Sequence, residues 1–412
     1  MRPAETIANL EWFAGRGAGT DAERRAAAWL RRELDGGGRG GGSARNAHIE
    51  PFWCRPNWAL AQAWHVALGV AGSLVSRASP WVGAALLLAA LVLVIADAAL
   101  GFSFGRLLTR ERASQNVVSE RSPERVGEDP VHLVITANYD AGRCGLVYRD
   151  ALRRPVALLA RATGRRGPGW LGWICIALVW LSVVALLRAE SSGGFVLDVL
   201  QLVPTVALLL AFALLLDLGM SRFGPGAGDN GSGIAAATAL ARALDAAPPR
   251  HLTVDLVLQG AGDGEGTGLR RYLHSRTGAR SAADTVVLGF AACGAGHPHW
   301  WLSDGALVPR RYLRALRSMC AEITREEPQL GARPHRGRGH APALFARWRR
   351  LPAISLGCLD RRGLVPRSHQ LSDTAEAVQP DAVDEVVELG LRLVDRLDSS
   401  LAARGRRQTT PA

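Results

Sequence analysis

The 412-residue sequence contains no lysine, so all 49 of its basic residues are arginine. Charged residues make up only 21% of the chain and hydrophobic residues 48%, a balance that excludes a disordered chain or a collagen-like repeat. The six cysteines, at 54, 144, 175, 293, 320 and 358, form no C-x-x-C pair. That excludes a zinc-finger pattern and a dense disulfide framework, and reduced, mostly buried thiols are expected. The first 20 residues hold no apolar core of the secretory type, so no cleavable signal peptide is expected.

What is abundant is positive charge and long apolar runs. The net charge is +12 with an isoelectric point near 10.6. Such a balance suits either a nucleic-acid binder or a membrane protein with a basic cytoplasmic side. The apolar runs decide between them. Trp170 to Leu187 carries no charge, and Trp81 to Gly101 carries only Asp97. Phe195 to Leu218 holds Asp198 and Asp217 near its ends, and Asn57 to Ser76 holds Gln62 and His65. Each run is long enough for a helix to cross about 30 Å of hydrocarbon.

The four runs form two tight hairpins, linked by Arg77–Pro80 and Arg188–Gly194, with one arginine in each link. The segment 102–169 between the hairpins holds twelve. By the positive-inside rule, the N-terminus, the 102–169 segment and the C-terminal half lie in the cytoplasm, and the chain sits in the cell (inner) membrane. The lipid bilayer is then the expected partner, and no nucleic acid is expected. Asp97, Asp198, Asp217 and His65 read as interfacial acids and a locally satisfied histidine rather than as an ion path.

Outside these runs, four short apolar segments suit strands buried on both faces: Val131–Ala137, Thr253–Gln259, Thr285–Phe290 and Ala353–Leu356. Helical patterns alternate with them at Asp21–Leu34, Ser232–Leu244, Leu307–Glu322 and Asp381–Leu397. The expected fold is α/β: a doubly wound, mainly parallel sheet with two inserted transmembrane helical hairpins. The division is 1–56 (an N-terminal helical part), 57–101 (hairpin 1), 102–169 (a cytoplasmic segment with the first core strand), 170–218 (hairpin 2), 219–400 (the remaining α/β part) and 401–412 (a basic tail). The glycine-rich run at 36–42 reads as a flexible link. Polar residues gather after each strand, where open α/β sheets bind ligands.

Those residues resemble a known family. Asp229-Asn230-Gly231-Ser232-Gly233, before an alanine-rich helix, is similar to the D-N-x-S-G of the zinc-dependent exopeptidases that include bacterial leucyl aminopeptidase and aminopeptidase Y. Asn138-Tyr139-Asp140 stands where that family has H-x-D. Gly262 to Tyr272 fits its E-E-x-G-L-x-G-S-x-x-Y frame at Gly268 and Tyr272, and His369 with Asp373-Thr374 matches its closing H-x-x-x-D-T. The N-terminal GRGAGTDAERRAAAWLRREL resembles its leading helix. The resemblance implies two zinc ions about 3.5–4 Å apart, sharing a bridging carboxylate, and a separate carboxylate as general base. It makes Asp229 the bridge, Asp140 the acid that orients the ligand at 138, Asp263 a terminal ligand and His369 the closing imidazole.

Four positions depart from the pattern. The expected histidine is Asn138, a weak ligand; the general-base glutamate is Gly262; the terminal glutamate is shortened to Asp263; and a carboxylate is replaced by Ala291. Glu265 is the candidate substitute base, and His297, His299 and His340 are candidate extra ligands. At most one weakly bound zinc ion is expected. The leading expectation is a pseudo-peptidase that binds or scaffolds a peptide or protein ligand at the cleft. The alternatives are an active exopeptidase acting on short peptides or amino-acyl conjugates through a rebuilt or single-metal site, and a transport-associated regulator.

Overall fold

The computed structural model describes residues 2–35, 45–121, 131–190, 194–278 and 281–409. The glycine-rich link at 36–42, the turn residues 191–193 and the end of the basic tail at 410–412 lie outside the described residues. Nine strands form one sheet: β1 (Arg45–Cys54), β2 (Arg112–Arg121), β3 (Val131–Asn138), β4 (Leu252–Gln259), β5 (Thr285–Phe290), β6 (His297–Asp304), β7 (Arg310–Arg311), β8 (Arg333–Arg336) and β9 (Ala353–Leu359). Their order is β1-β2-β4-β3-β5-β9-β6-β7, with β8 beside β6.

The centre is parallel, from β4 through β3 and β5 to β9, and β8 joins β6 parallel at one side. β2 joins β4 antiparallel, and β6 joins β9 antiparallel. The sheet is therefore mixed, a correction to the expected mainly parallel one. The four central strands were readable because both of their faces are covered: β4, β5 and β9 are buried along their whole lengths. The flanking strands lack that signature. Pro51 interrupts β1, whose buried and exposed residues partly alternate, and β6 carries Pro298 between two histidines. So 1–56 holds a strand as well as helices, and 102–169 holds two strands. The helix expected from Leu307 begins instead at Arg314, because β7 takes residues 310–311.

The helix Asp21–Asp35 packs on β1 and β2, and Pro3–Glu11 packs on the helix Ser232–Ala246; Ile7, Leu10, Ala26 and Leu30 are all nearly inaccessible. Ser232–Ala246 and Pro380–Thr409 belong to the same core through Leu240, Val386 and Leu389.

Among the described residues, four helices are long and apolar enough to cross a membrane: Trp58–Val75, Pro80–Leu100, Trp170–Glu190 and Phe195–Met220. They close into a ring in which the first packs on the second and fourth, and the third does the same. Gly69 lets the first helix approach the third; a Cβ there would lie 2.5 Å from Leu178. Ser73 and Thr205 hydrogen bond across the first and fourth helices at 2.7 Å. At the distal turn, Asp198 pairs with Arg188 at 2.9 Å and with Arg77 at 3.6 Å. At the other end of the fourth helix, Asp217 accepts the Leu146 N–H at 2.6 Å.

Where the helices attach follows from the strand directions. β1 and β2 pair from Arg45↔Arg121 to Cys54↔Arg112, so the first helical pair is inserted at the tip of a β-hairpin. β1 runs the same way as β3 and β4, since two antiparallel steps separate it from β4. The second pair lies in the connection from β3 to β4. Both pairs therefore leave from the carboxyl edge of the parallel strands, the edge where such sheets carry their sites.

A buried polar cluster joins the bundle to that edge. Asp97, on the second helix, accepts bonds from Gln62 Nε2 (3.0 Å), Ser103 Oγ (2.8 Å) and Arg106 Nε (2.8 Å). His65 contacts Gln62 through Nδ1 at 3.4 Å and accepts the Gly105 N–H at 3.2 Å. Arg106 also grips Glu265 in the loop after β4. Asp97 is thus the centre of a paired cluster, not an acid reaching towards water.

Candidate functional site

The site is built from loops at that carboxyl edge. After β3 comes Asp140, buried, whose carboxylate accepts the backbone N–H of Gly262 (2.8 Å) and of Asp263 (3.1 Å). It thereby ties the loop after β3 to the loop after β4, where the resemblance implies an acid that orients the ligand at 138. Burial and the nearby charge of Asp263 push Asp140 up to about 7.

The 227–231 turn before the helix Ser232–Ala246 carries Asp229. Asp373 supports it from the far side, accepting the N–H groups of Gly228 and Asp229, each at 2.9 Å. Burial raises Asp373 to about 6. Ser232 Oγ accepts the Cys293 N–H at 2.7 Å, which ties this turn to the loop after β5.

His369 completes the group. Its Nε2 lies 3.3 Å from Asp263 Oδ1 and 3.8 Å from Asp229 Oδ2, and its Nδ1 lies 3.1 Å from the Arg143 carbonyl. Both ring nitrogens therefore have acceptors. Burial opposes the charged ring, but Asp263 and then Asp229 prevail and raise His369 to about 9. Asp263 is held below its ordinary value by His369. The pair is an imidazolium facing a carboxylate at neutral pH. Tyr148 stacks on the ring at 4.0 Å between centroids. Gly142 permits this approach, since a Cβ there would fall 2.2 Å from the imidazole. Ser368 donates its hydroxyl to Asp229 Oδ2.

Asp140, Asp229, Asp263 and His369 are thus gathered in one place. Asn138 and Gly262 lie together: a Cβ on Gly262 would come within 2.5 Å of Asn138 Oδ1. That oxygen is buried without a hydrogen-bond partner. Glu265 is not free to act as a base, because both of its oxygens are held by Arg106. His297 and His299 lie on β6, where His299 Nδ1 contacts its neighbour's carbonyl. His340 does line the cleft, with its Nε2 unpartnered; burial and then Arg270 lower it to about 4, so it is neutral.

The most consequential residue that sequence reasoning missed is Arg16. It is fully buried and donates only to carbonyls: Tyr139 (3.0 Å), Leu10 (3.2 Å), Pro225 and Gly226. It is the buried countercharge for Asp373, Asp140 and Asp229, and although burial lowers it to about 10 it stays protonated. Glu23 was also missed. Its carboxylate accepts from Gly19 N (2.6 Å), Ser114 Oγ (2.7 Å) and Ala261 N (3.1 Å), and burial raises it to about 8. The only available signal was an arginine between glycines, in a segment resembling the start of a helix.

A cavity of about 1200 Å³ opens between this group and the helix bundle, lined on one side by Asp229, Asp263 and His369 and on the other by Ile95, Leu100 and Trp170.

Residues 216–394 match the profile of Peptidase family M28. Among solved structures, the chain is similar to the zinc aminopeptidase BSAP from Bacillus subtilis, at 11% identity and TM-score 0.54, covering 96% of this chain and 94% of that one. It is similar to the Legionella pneumophila aminopeptidase LapA, at 11% identity and TM-score 0.51, covering 97% and 71%. It is similar also to a Porphyromonas gingivalis glutaminyl cyclase, at 12% identity and TM-score 0.51, covering 96% and 97%. At these identities the likeness is one of fold. No curated protein matches the sequence.

Proposed function

We propose that this protein, whose residues 216–394 match peptidase family M28, is a membrane-anchored relative of the zinc exopeptidases, a binding module which has given up two-zinc hydrolysis. One observation carries the reading. Where the resemblance calls for a general-base glutamate there is Gly262, and the space a side chain would enter is taken by Asn138, 2.5 Å from the missing Cβ. The two departures fit each other.

A pair of zinc ions does not fit the residues present. Asn138 offers an amide, Ala291 a methyl group and Gly262 nothing. Among the described residues, no three His, Cys, Asp or Glu side chains form a group that could hold a metal ion. Asp263 and His369 instead satisfy each other. What this arrangement can do is bind. It presents an imidazolium, two carboxylates and an unpaired amide oxygen at the floor of a large cleft. An aminoacyl or peptide group, which carries both donors and acceptors, complements that set.

Anchoring is supported by four apolar helices in two pairs, both leaving from one edge of the sheet. The twelve arginines of 102–169 favour a cytoplasmic position for the α/β part. Two assays test the proposal in intact cells and with the purified full chain. Single-cysteine reporters at Ala78 and Gly194 are expected to label from one side of the membrane, and one at Ala247 from the other. Aminoacyl-nitroanilides and dipeptides are expected to bind without being turned over. Labelling of all three reporters from one side defeats the anchoring. Hydrolysis at an ordinary enzyme rate, about 1–10³ per second, defeats the binding-module reading.

A further inference from the structure

We propose that the cavity takes an anionic amphiphile, a phosphate-bearing head group on acyl chains, admitted from the bilayer interface. The proposal rests on the membrane-anchored reading above and adds a second ligand, held on the bundle side of the cavity, away from the aminoacyl or peptide group at its floor.

Three observations carry it. The first is position. Both helical pairs spring from the edge that bears Asp229, Asp263 and His369, so the cleft opens against the bundle and at the level of the helix ends. Its volume of about 1200 Å³ exceeds the roughly 300–1,000 Å³ of ordinary small-molecule sites. The second is the character of the bundle-side wall. Ile95, Leu100 and Phe102 line the cavity, yet they are 43%, 66% and 62% exposed. Such a wall suits acyl chains and is costly against water.

The third is charge. Arg165, Arg270, Arg271 and Arg338 also line the cavity, and each is bonded to backbone carbonyls: Gly363, Leu100, Trp53 and Arg166 respectively. None forms an ion pair with a carboxylate among the described residues. Arg338 Nε is buried with no partner at all, as is His340 Nε2. The cavity also carries carboxylates, and Glu265 and Asp97 act on Arg270 from a distance, but Arg106 holds both of those acids, so guanidinium groups outside any ion pair are left beside an apolar wall at a helix end, a combination suited to a phosphate on a lipid. A zwitterionic head group would bring its own cation into the same field and lose most of that attraction.

The full chain in a neutral detergent is titrated by calorimetry with dioctanoyl phosphatidylglycerol, dioctanoyl phosphatidylcholine and glycerol phosphate. The phosphatidylglycerol is expected to bind one per chain, at least tenfold more tightly than either of the others. Arg270→Gln combined with Arg338→Gln should weaken it at least tenfold. Arg270 also braces Leu100, so that variant can lose fold; Leu100→Glu, at an exposed position, adds a carboxylate beside the arginines and should give the same loss with an unchanged melting temperature. Equal affinity for the two lipids overturns the proposal. So does glycerol phosphate binding as tightly as the lipid, which would make this a free-phosphate site. Binding that neither variant weakens also overturns it, by placing the lipid elsewhere on the bundle. Failure of the anchored reading shows separately, in the labelling pattern.

Discussion

Arg16→Ala should cost the α/β part about 3–5 kcal/mol, the range for removing one partner from a buried charged group. The side chain has no exposure and bonds four carbonyls from three separate segments. Alanine would leave those carbonyls without donors, at about 1–3 kcal/mol for each that water cannot reach. It would also leave Asp373, Asp140 and Asp229 without their buried countercharge. A domain's whole stability is about 5–15 kcal/mol, so the variant should melt far below the parent or fail to accumulate. Arg16→Lys should recover only part of the loss, since an ammonium cannot span the acceptors that the guanidinium fork reaches. Thermal melts in detergent with limited proteolysis check this; a loss below about 1 kcal/mol would mean that water replaces the side chain.

The second large effect concerns chemistry. Converting Asn138→His, Gly262→Glu, Asp263→Glu and Ala291→Asp together should create zinc binding and aminopeptidase activity. A positioned base alone contributes about 10²–10⁴-fold. The combination should therefore exceed the parent's rate by at least that factor, on aminoacyl-nitroanilides with zinc supplied. Gly262→Glu alone should yield nothing but instability, because its Cβ would meet Asn138. Overpacking of this kind costs about 1–3 kcal/mol. The four positions should prove strongly non-additive, as groups that act as a unit do. A single restoration that yielded most of the activity would show that the remaining positions are not deficient.

Much of this was legible in the sequence, for identifiable reasons. The four long apolar helices stood out as runs of about 20 residues with few charges, the pattern that a bilayer would demand. β3, β4, β5 and β9 stood out because burial on both faces makes a strand continuously apolar. β1, β2 and β6 did not, since edge and antiparallel strands mix polar residues and proline into their pattern. Asp229, Asp263 and His369, which lie together, were singled out through the resemblance of their motifs and not through any local physical signal. Arg16, Glu23 and Arg106 escaped because what defines them is burial against distant segments: Arg16 bonds a carbonyl 210 positions away, and Arg106 grips a carboxylate 159 positions away. No spacing rule reports such a pairing. Glu265 was a plausible base by proximity in sequence, and the same long-range pairing removes it from that role.

We propose that positions 138, 262 and 291 leave no two-zinc site. The most direct test is the zinc content of the full chain, purified without chelator, before and after dialysis against excess zinc. No more than one ion per chain is expected, removed by mild chelation without loss of fold. Two tightly held ions per chain would contradict it, and would make His340, which lines the cleft with an unpartnered Nε2, the first residue to test as a ligand.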